Sequence, residues 1–167
     1  MSKIGVGIKN ALQGSHANYF DSLCDNLVWQ NVTNVNAAKS LEPSECGTVI
    51  LGAAVGTEQA DDLGFNVNLP TPQAGLWYNF ILRPPTISNN ADSAITVTAT
   101  SDGSTAANIA VGIVTVNEVP TNVVAGVDLL TFVHAAATCG DNATYVCDGT
   151  NWFVNAVGDA AGSVTLA

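Results

Sequence analysis

The residues able to do chemistry are few and scattered along the chain. Cys24, Cys46, Cys139 and Cys147 could hold a metal with His16 and His134 only if they clustered. No two of the cysteines have C-x-x-C spacing, and neither histidine stands in a zinc pattern with them. Asp61-Asp62 offers adjacent carboxylates for acid–base or calcium chemistry. Without the spacing of a calcium loop, neighbouring acids on a turn read as solvated charges. A nucleophilic hydrolase needs Ser or Cys brought to His and a carboxylate, but G-x-S-x-G is absent and His134 is the only histidine of the C-terminal three quarters. No P-loop, dinucleotide fingerprint or H-E-x-x-H occurs. The expectation is a protein that is not an enzyme and needs no cofactor or metal. A glycan hydrolase is the enzymatic reading left over, and the sequence does not place its carboxylate pair.

The cysteines are expected to be reduced and partly buried, since no secretory signal is recognised at Met1–Asn10. Cys139 and Cys147 flank Gly140-Asp141-Asn142 and are the one pair that a turn could bring together. Asn31-Val-Thr33 and Asn142-Ala-Thr144 match the glycosylation sequon, whose chemistry needs a secretory route.

Charge narrows the partners. The 167 residues carry a formal net charge of −10, with 11% charged and 47% hydrophobic residues. Lys3, Lys9 and Lys39 lie early, and Arg83 is the only base after them. Such a surface repels phosphate backbones and anionic lipid, so no direct nucleic-acid partner and no membrane partner is expected. No stretch reads as a transmembrane helix. Polarity rests on Asn, Thr, Ser and Gly, the residues of strand faces and turns, which favours an all-β fold.

The elements that would position any site are strands. Gly47–Leu51, Phe65–Leu69, Leu76–Leu82, Ala94–Thr100, Ile109–Val116 and Leu129–Ala135 are apolar or alternating runs punctuated by Gly, Pro and Asp. Tyr145-Val-Cys147 and Trp152-Phe-Val154 frame Asp148-Gly-Thr-Asn151 as a closing hairpin, and Ser163–Leu166 adds a short terminal strand. About eight strands at this spacing predict a β-sandwich, a jelly-roll-like fold or a barrel over 46–167. Trp77 and Trp152 fall within strands and are expected to pack in the core.

Residues 1–45 differ in kind. Gly5, Gly7 and Gly14 interrupt the start, and Asn31–Asn36 shows no sustained period, so this stretch reads as an extended arm. Tyr19, Phe20, Leu23, Leu27 and Val28 recur at spacings of three and four, allowing a short amphipathic helix over Ala17–Val28. Lys3, Ile4, Lys9, Tyr19, Phe20 and Trp29 are the arm's candidate partner contacts, since it is too apolar for a free tail.

Phe65-Asn-Val-Asn-Leu-Pro70, Gly75-Leu-Trp-Tyr-Asn-Phe80, Ala94-Ile-Thr-Val97, Asp128-Leu-Leu-Thr-Phe132 and Val146-Cys-Asp-Gly-Thr-Asn-Trp-Phe153, taken in that order, resemble the small β-proteins on tailed-bacteriophage virions. The likeness spans about residues 46–160. It implies a capsid decoration (cement) protein, usually a homotrimer, made in the host cytoplasm and seated on the outer capsid surface, where it bridges major capsid subunits. The same hairpin occurs in head-fibre and tail-fibre proteins. That implies the alternative of a fibre tip that binds a host-surface glycan through exposed aromatics such as Trp77.

Overall fold

The computed structural model describes residues 31–52, 64–83, 94–102, 107, 109–133 and 136–167. The candidate contacts Lys3, Ile4, Lys9, Tyr19, Phe20 and Trp29, the helix over 17–28, His16, Cys24, Asp61-Asp62 and His134 lie outside these residues.

The fold is all-β, and the described residues form twelve strands in two mixed sheets. In chain order they are β1 (Asn31–Val35), β2 (Lys39–Ser40), β3 (Gly47–Leu51), β4 (Asn66–Asn68), β5 (Trp77–Leu82) and β6 (Ile95–Thr98). Then follow β7 (Ala110–Val116), β8 (Val119–Val127), β9 (Leu129–Phe132), β10 (Asn142–Cys147), β11 (Trp152–Gly158) and β12 (Val164–Leu166). The seven-stranded sheet runs β1-β3-β5-β10-β11-β7-β8 and the five-stranded sheet β12-β9-β6-β4-β2. A single apolar core draws side chains from both sheets, which makes the body a sandwich and not a closed barrel.

Alternation explains which residues enter that core. Along β5 the even positions Tyr78, Phe80 and Leu82 are buried, and along β11 Trp152, Val154 and Ala156 are, as a period of two requires. Across the sandwich they meet Val67 and Leu69 by β4, Ile95 and Val97 on β6, and Leu130 and Phe132 on β9. Tyr78, Phe80, Tyr145 and Trp152 close a cycle of ring contacts with centroids 5.8–6.3 Å apart. Each such pair adds about 0.5–1.5 kcal/mol beyond its buried area. The Tyr145 hydroxyl and the Trp152 indole N–H are buried with no hydrogen-bond partner among the described residues, and burial pushes the Tyr145 hydroxyl pKa up.

The closing hairpin forms as the sequence predicts. Cys147 and Trp152 are cross-strand partners, and the Asp148 carboxylate accepts the amide hydrogens of Thr150 at 2.8 Å and Asn151 at 2.7 Å. Gly149 takes φ +104°, open to a residue without Cβ.

Three strands escaped the sequence reading. β1 and β2 lie in the stretch read as arm, and the compact body begins at Val32. Both are edge strands, so five residues of β1 need bury only Val35, and no alternation marks them. β8 carries Pro120 and Gly126 and pairs only with β7, through an Asn117-Glu118 turn whose φ values of +49° and +63° are unusual for these side chains. Cys139 and Cys147 do not approach one another. They lie beyond opposite ends of the β10 segment 142–146, about 17 Å apart at strand rise, and both are free thiols.

Candidate interaction face

The outward side chains of the seven-stranded sheet form three cross-strand rows. The first is Trp77, Val146, Phe153 and Val111, which the registers of β5, β10, β11 and β7 place side by side. Thr48, Asn79, Thr144, Asn155 and Ile113 make the second. Ile50, Ile81, Asn142, Val157 and Thr115 make the third. Not one of these side chains is charged, although the chain carries −10. Val146 and Phe153 remain 47% exposed, Ile113 44% and Val157 42%. Five of the nine side chains that reach outward on β5, β10 and β11 are thus apolar, Trp77, Ile81, Val146, Phe153 and Val157, more than a strand face turned to water needs.

Trp77 is the clearest departure from expectation. It sits half-buried on this outer face instead of in the core, beside Cys46, whose thiol donates to the Trp77 carbonyl at 3.1 Å. Trp152, expected in the core, is fully buried there. The second row holds one internal tie, the Thr144 hydroxyl donating to Asn79 at 3.1 Å.

The outer face of the five-stranded sheet is different. Thr165, Thr131, Thr96 and Asn66 form one row, and Leu129, Thr98, Asn68 and Ser40 the next. The Asn66 carbonyl oxygen accepts both Thr96 and Thr98 hydroxyls, at 2.8 and 2.7 Å, and its amide donates to Asn68 at 2.6 Å. Asn68 donates onward to Ser40 at 3.2 Å. This polar face satisfies itself.

A cleft of about 520 Å3 lies beside the β7–β8 turn, lined by Glu118, Cys139, Asp141 and Asp159 among others. Asp141 is buried, but its carboxylate is committed to the fold. It accepts the Thr138 amide at 3.0 Å, the Thr138 hydroxyl at 3.3 Å and the Asp159 amide at 3.0 Å. Those bonds pin two loops together and give the carboxylate a structural role. Among the described residues no group of three His, Cys, Asp or Glu is placed to hold a metal.

The sequence held a signal for the face that alternation alone does not deliver: Trp77, Ile81, Val146, Phe153 and Val157 stand at the outward positions of strands whose inward positions are already apolar. Comparison with protein-family models, curated proteins and solved structures finds no match for the chain.

Proposed function

We propose that this is a virion structural protein, a capsid decoration protein that seats on the outer surface of a tailed-phage head as a homotrimer and stabilises the expanded shell. The observation that carries the reading is the uncharged, part-apolar outer face of the seven-stranded sheet in a molecule otherwise rich in acids. Five strands spaced about 4.8 Å and three rows about 7 Å apart give a footprint of about 500 Å2. Two partners together then bury about 1,000 Å2, the threshold of a specific protein interface. A surface without charge meets a capsid lattice without desolvating ions, which a charged patch could not do cheaply. Because the protein binds the assembled lattice and not its dispersed subunits, occupancy stabilises the shell by mass action and needs no chemistry.

Mixing the purified protein with undecorated, expanded heads is the direct test. Saturable binding, with heads that then withstand heating or chelation better, is the expected result. Absence of saturable binding rejects the reading.

A fibre-tip role in glycan binding is the second reading, favoured by one feature of the same face. Trp77 and Phe153 present outward two strands apart, about 10 Å, with Asn79, Thr144 and Asn155 in the adjoining row. Stacking on aromatics with amide and hydroxyl partners beside them suits a sugar chain. Saturable binding to host cells, with none to heads, would establish it over decoration.

A further inference from the structure

The sandwich is open along one seam. There, Val114 and Val116 of β7, Thr121 of β8 and Val164 and Leu166 of β12 line an apolar groove of about 260 Å3. The five-stranded sheet ends at β12, so one side of that strand has no neighbour in the sheet among the described residues. Its ladder to β9 uses the odd positions: the Ser163 carbonyl accepts from Val133, and Ala167 exchanges both bonds with Leu129. In an antiparallel ladder the alternate residues turn their backbone groups the other way, so Val164 and Leu166 present N–H and C=O along the open edge beside the groove. A strand edge over an apolar trough accepts an extended segment whose alternate side chains are apolar.

We propose that this seam takes residues 3–9 of a second copy of the chain as an added strand. Lys3-Ile-Gly-Val-Gly-Ile-Lys9 places Ile4, Val6 and Ile8 on one side at a period of two, with Gly5 and Gly7 on the other. The apolar side fills the groove. The glycine side lies beside the outward Thr165 and adds no bulk there. Charge fits as well. Lys3 and Lys9 are about 20 Å apart in an extended strand, and the groove has acids beyond both ends. Glu118 and Asp159 follow Val116 and Gly158 at one end, and at the other Asp128 donates its amide to the Ala167 carbonyl. The chain from residue 10 to β1 can extend to about 70 Å, enough to reach a neighbouring copy. Because donor segment and acceptor groove are different surfaces, each copy gives to the next, and such a heterologous contact builds a ring when the rotation between copies closes, as the proposed homotrimer requires. The inference rests on the homo-oligomer of the proposed function, not on its capsid partner.

The test uses the full chain with Cys24 and Cys139 changed to Ser. Gly7→Cys is made in one tagged preparation and Thr165→Cys in another, and the two are mixed under mild oxidation. A disulfide joining the two tags, in excess over either like-tagged product, is expected; its absence overturns the proposal. Val6→Asp should convert the oligomer to monomer in light scattering while the near-ultraviolet signal of the buried rings is unchanged. An unchanged mass overturns the proposal, as does a wild-type protein that is monomeric. A protein that fails to oligomerise but binds expanded heads removes strand exchange alone. An exchanged oligomer that ignores heads removes the decoration role alone.

Discussion

The two outer faces of the sandwich have the same backbone geometry and opposite accounts of their side chains. On the five-stranded sheet, Asn66 gathers two threonine hydroxyls and an asparagine into a connected network, leaving little for a partner to satisfy. On the seven-stranded sheet, Val146 and Phe153 face each other across β10 and β11 at nearly half exposure, and the side-chain hydrogen bonds are a Thr144–Asn79 pair in the middle row and an Asn142 amide donating to the Gly140 carbonyl. Water solvates the first face well and the second poorly. An exposed strand face is therefore not a docking face by being exposed. It becomes one where apolar area and absence of charge coincide over several strands.

The largest expected effect breaks the apolar face at its backbone. A Cβ on Gly112 would stand 1.8 Å from the Val154 carbonyl oxygen, where β7 runs parallel to β11. Gly112→Ala should lose about 3 kcal/mol in denaturant unfolding, because the neighbouring backbone cannot yield. A loss below about 1 kcal/mol would mean that β7 is not held against β11 in this way.

Phe153→Lys tests the face without the fold. Stability should change by about 0.5 kcal/mol at most, whereas affinity for expanded heads should fall at least about tenfold, equivalent to about 1.4 kcal/mol. The matching change on the other sheet, Asn66→Ala, should do the reverse. It orphans two part-buried hydroxyls and should cost about 1 kcal/mol of stability, with head binding unaltered. If Asn66→Ala weakened binding as much as Phe153→Lys, the contrast between the faces would fail.

The smallest effect is at the hairpin that carries Phe153. Amide hydrogens of Asn151 and Thr150 hold the Asp148 carboxyl below the usual carboxylate range. A carboxyl depressed on folding contributes stability above its unfolded pKa, about 3.9, and loses that contribution as pH falls through its folded value. Thermal melts of wild type and Asp148→Asn should therefore converge below about pH 4. A gap that widens on acidification would contradict the assignment.

How much was legible depends on whether a signal is local. Asp148, Gly149 and Asn151 announce a turn within four residues, and the alternation of Ala94–Thr100 announces a strand, so both stand as read. β1, β2 and β8 bury little or carry Pro and Gly, and an edge strand has no reason to alternate. The parallel pairs β3–β5 and β7–β11 join segments separated by other strands, information no window of sequence contains. Trp77 misled for a physical reason. A tryptophan in a strand is usually interior, and only register decides which side of the sheet it takes.

The Tyr78 hydroxyl donates to the Glu42 carbonyl at 2.8 Å, Lys39 pairs with Glu45, and β3 then runs parallel to β5. Tension applied at the chain's entry into the body would load the β1–β3 edge first and then meet a clamp set on a buried ring of the core. Parallel strands pulled along their length resist in shear, with several bonds sharing the load at once, whereas a hairpin peels open one rung at a time. In the decoration role proposed above, strands so anchored would be the last part of the body to give way under a load directed outward from the shell.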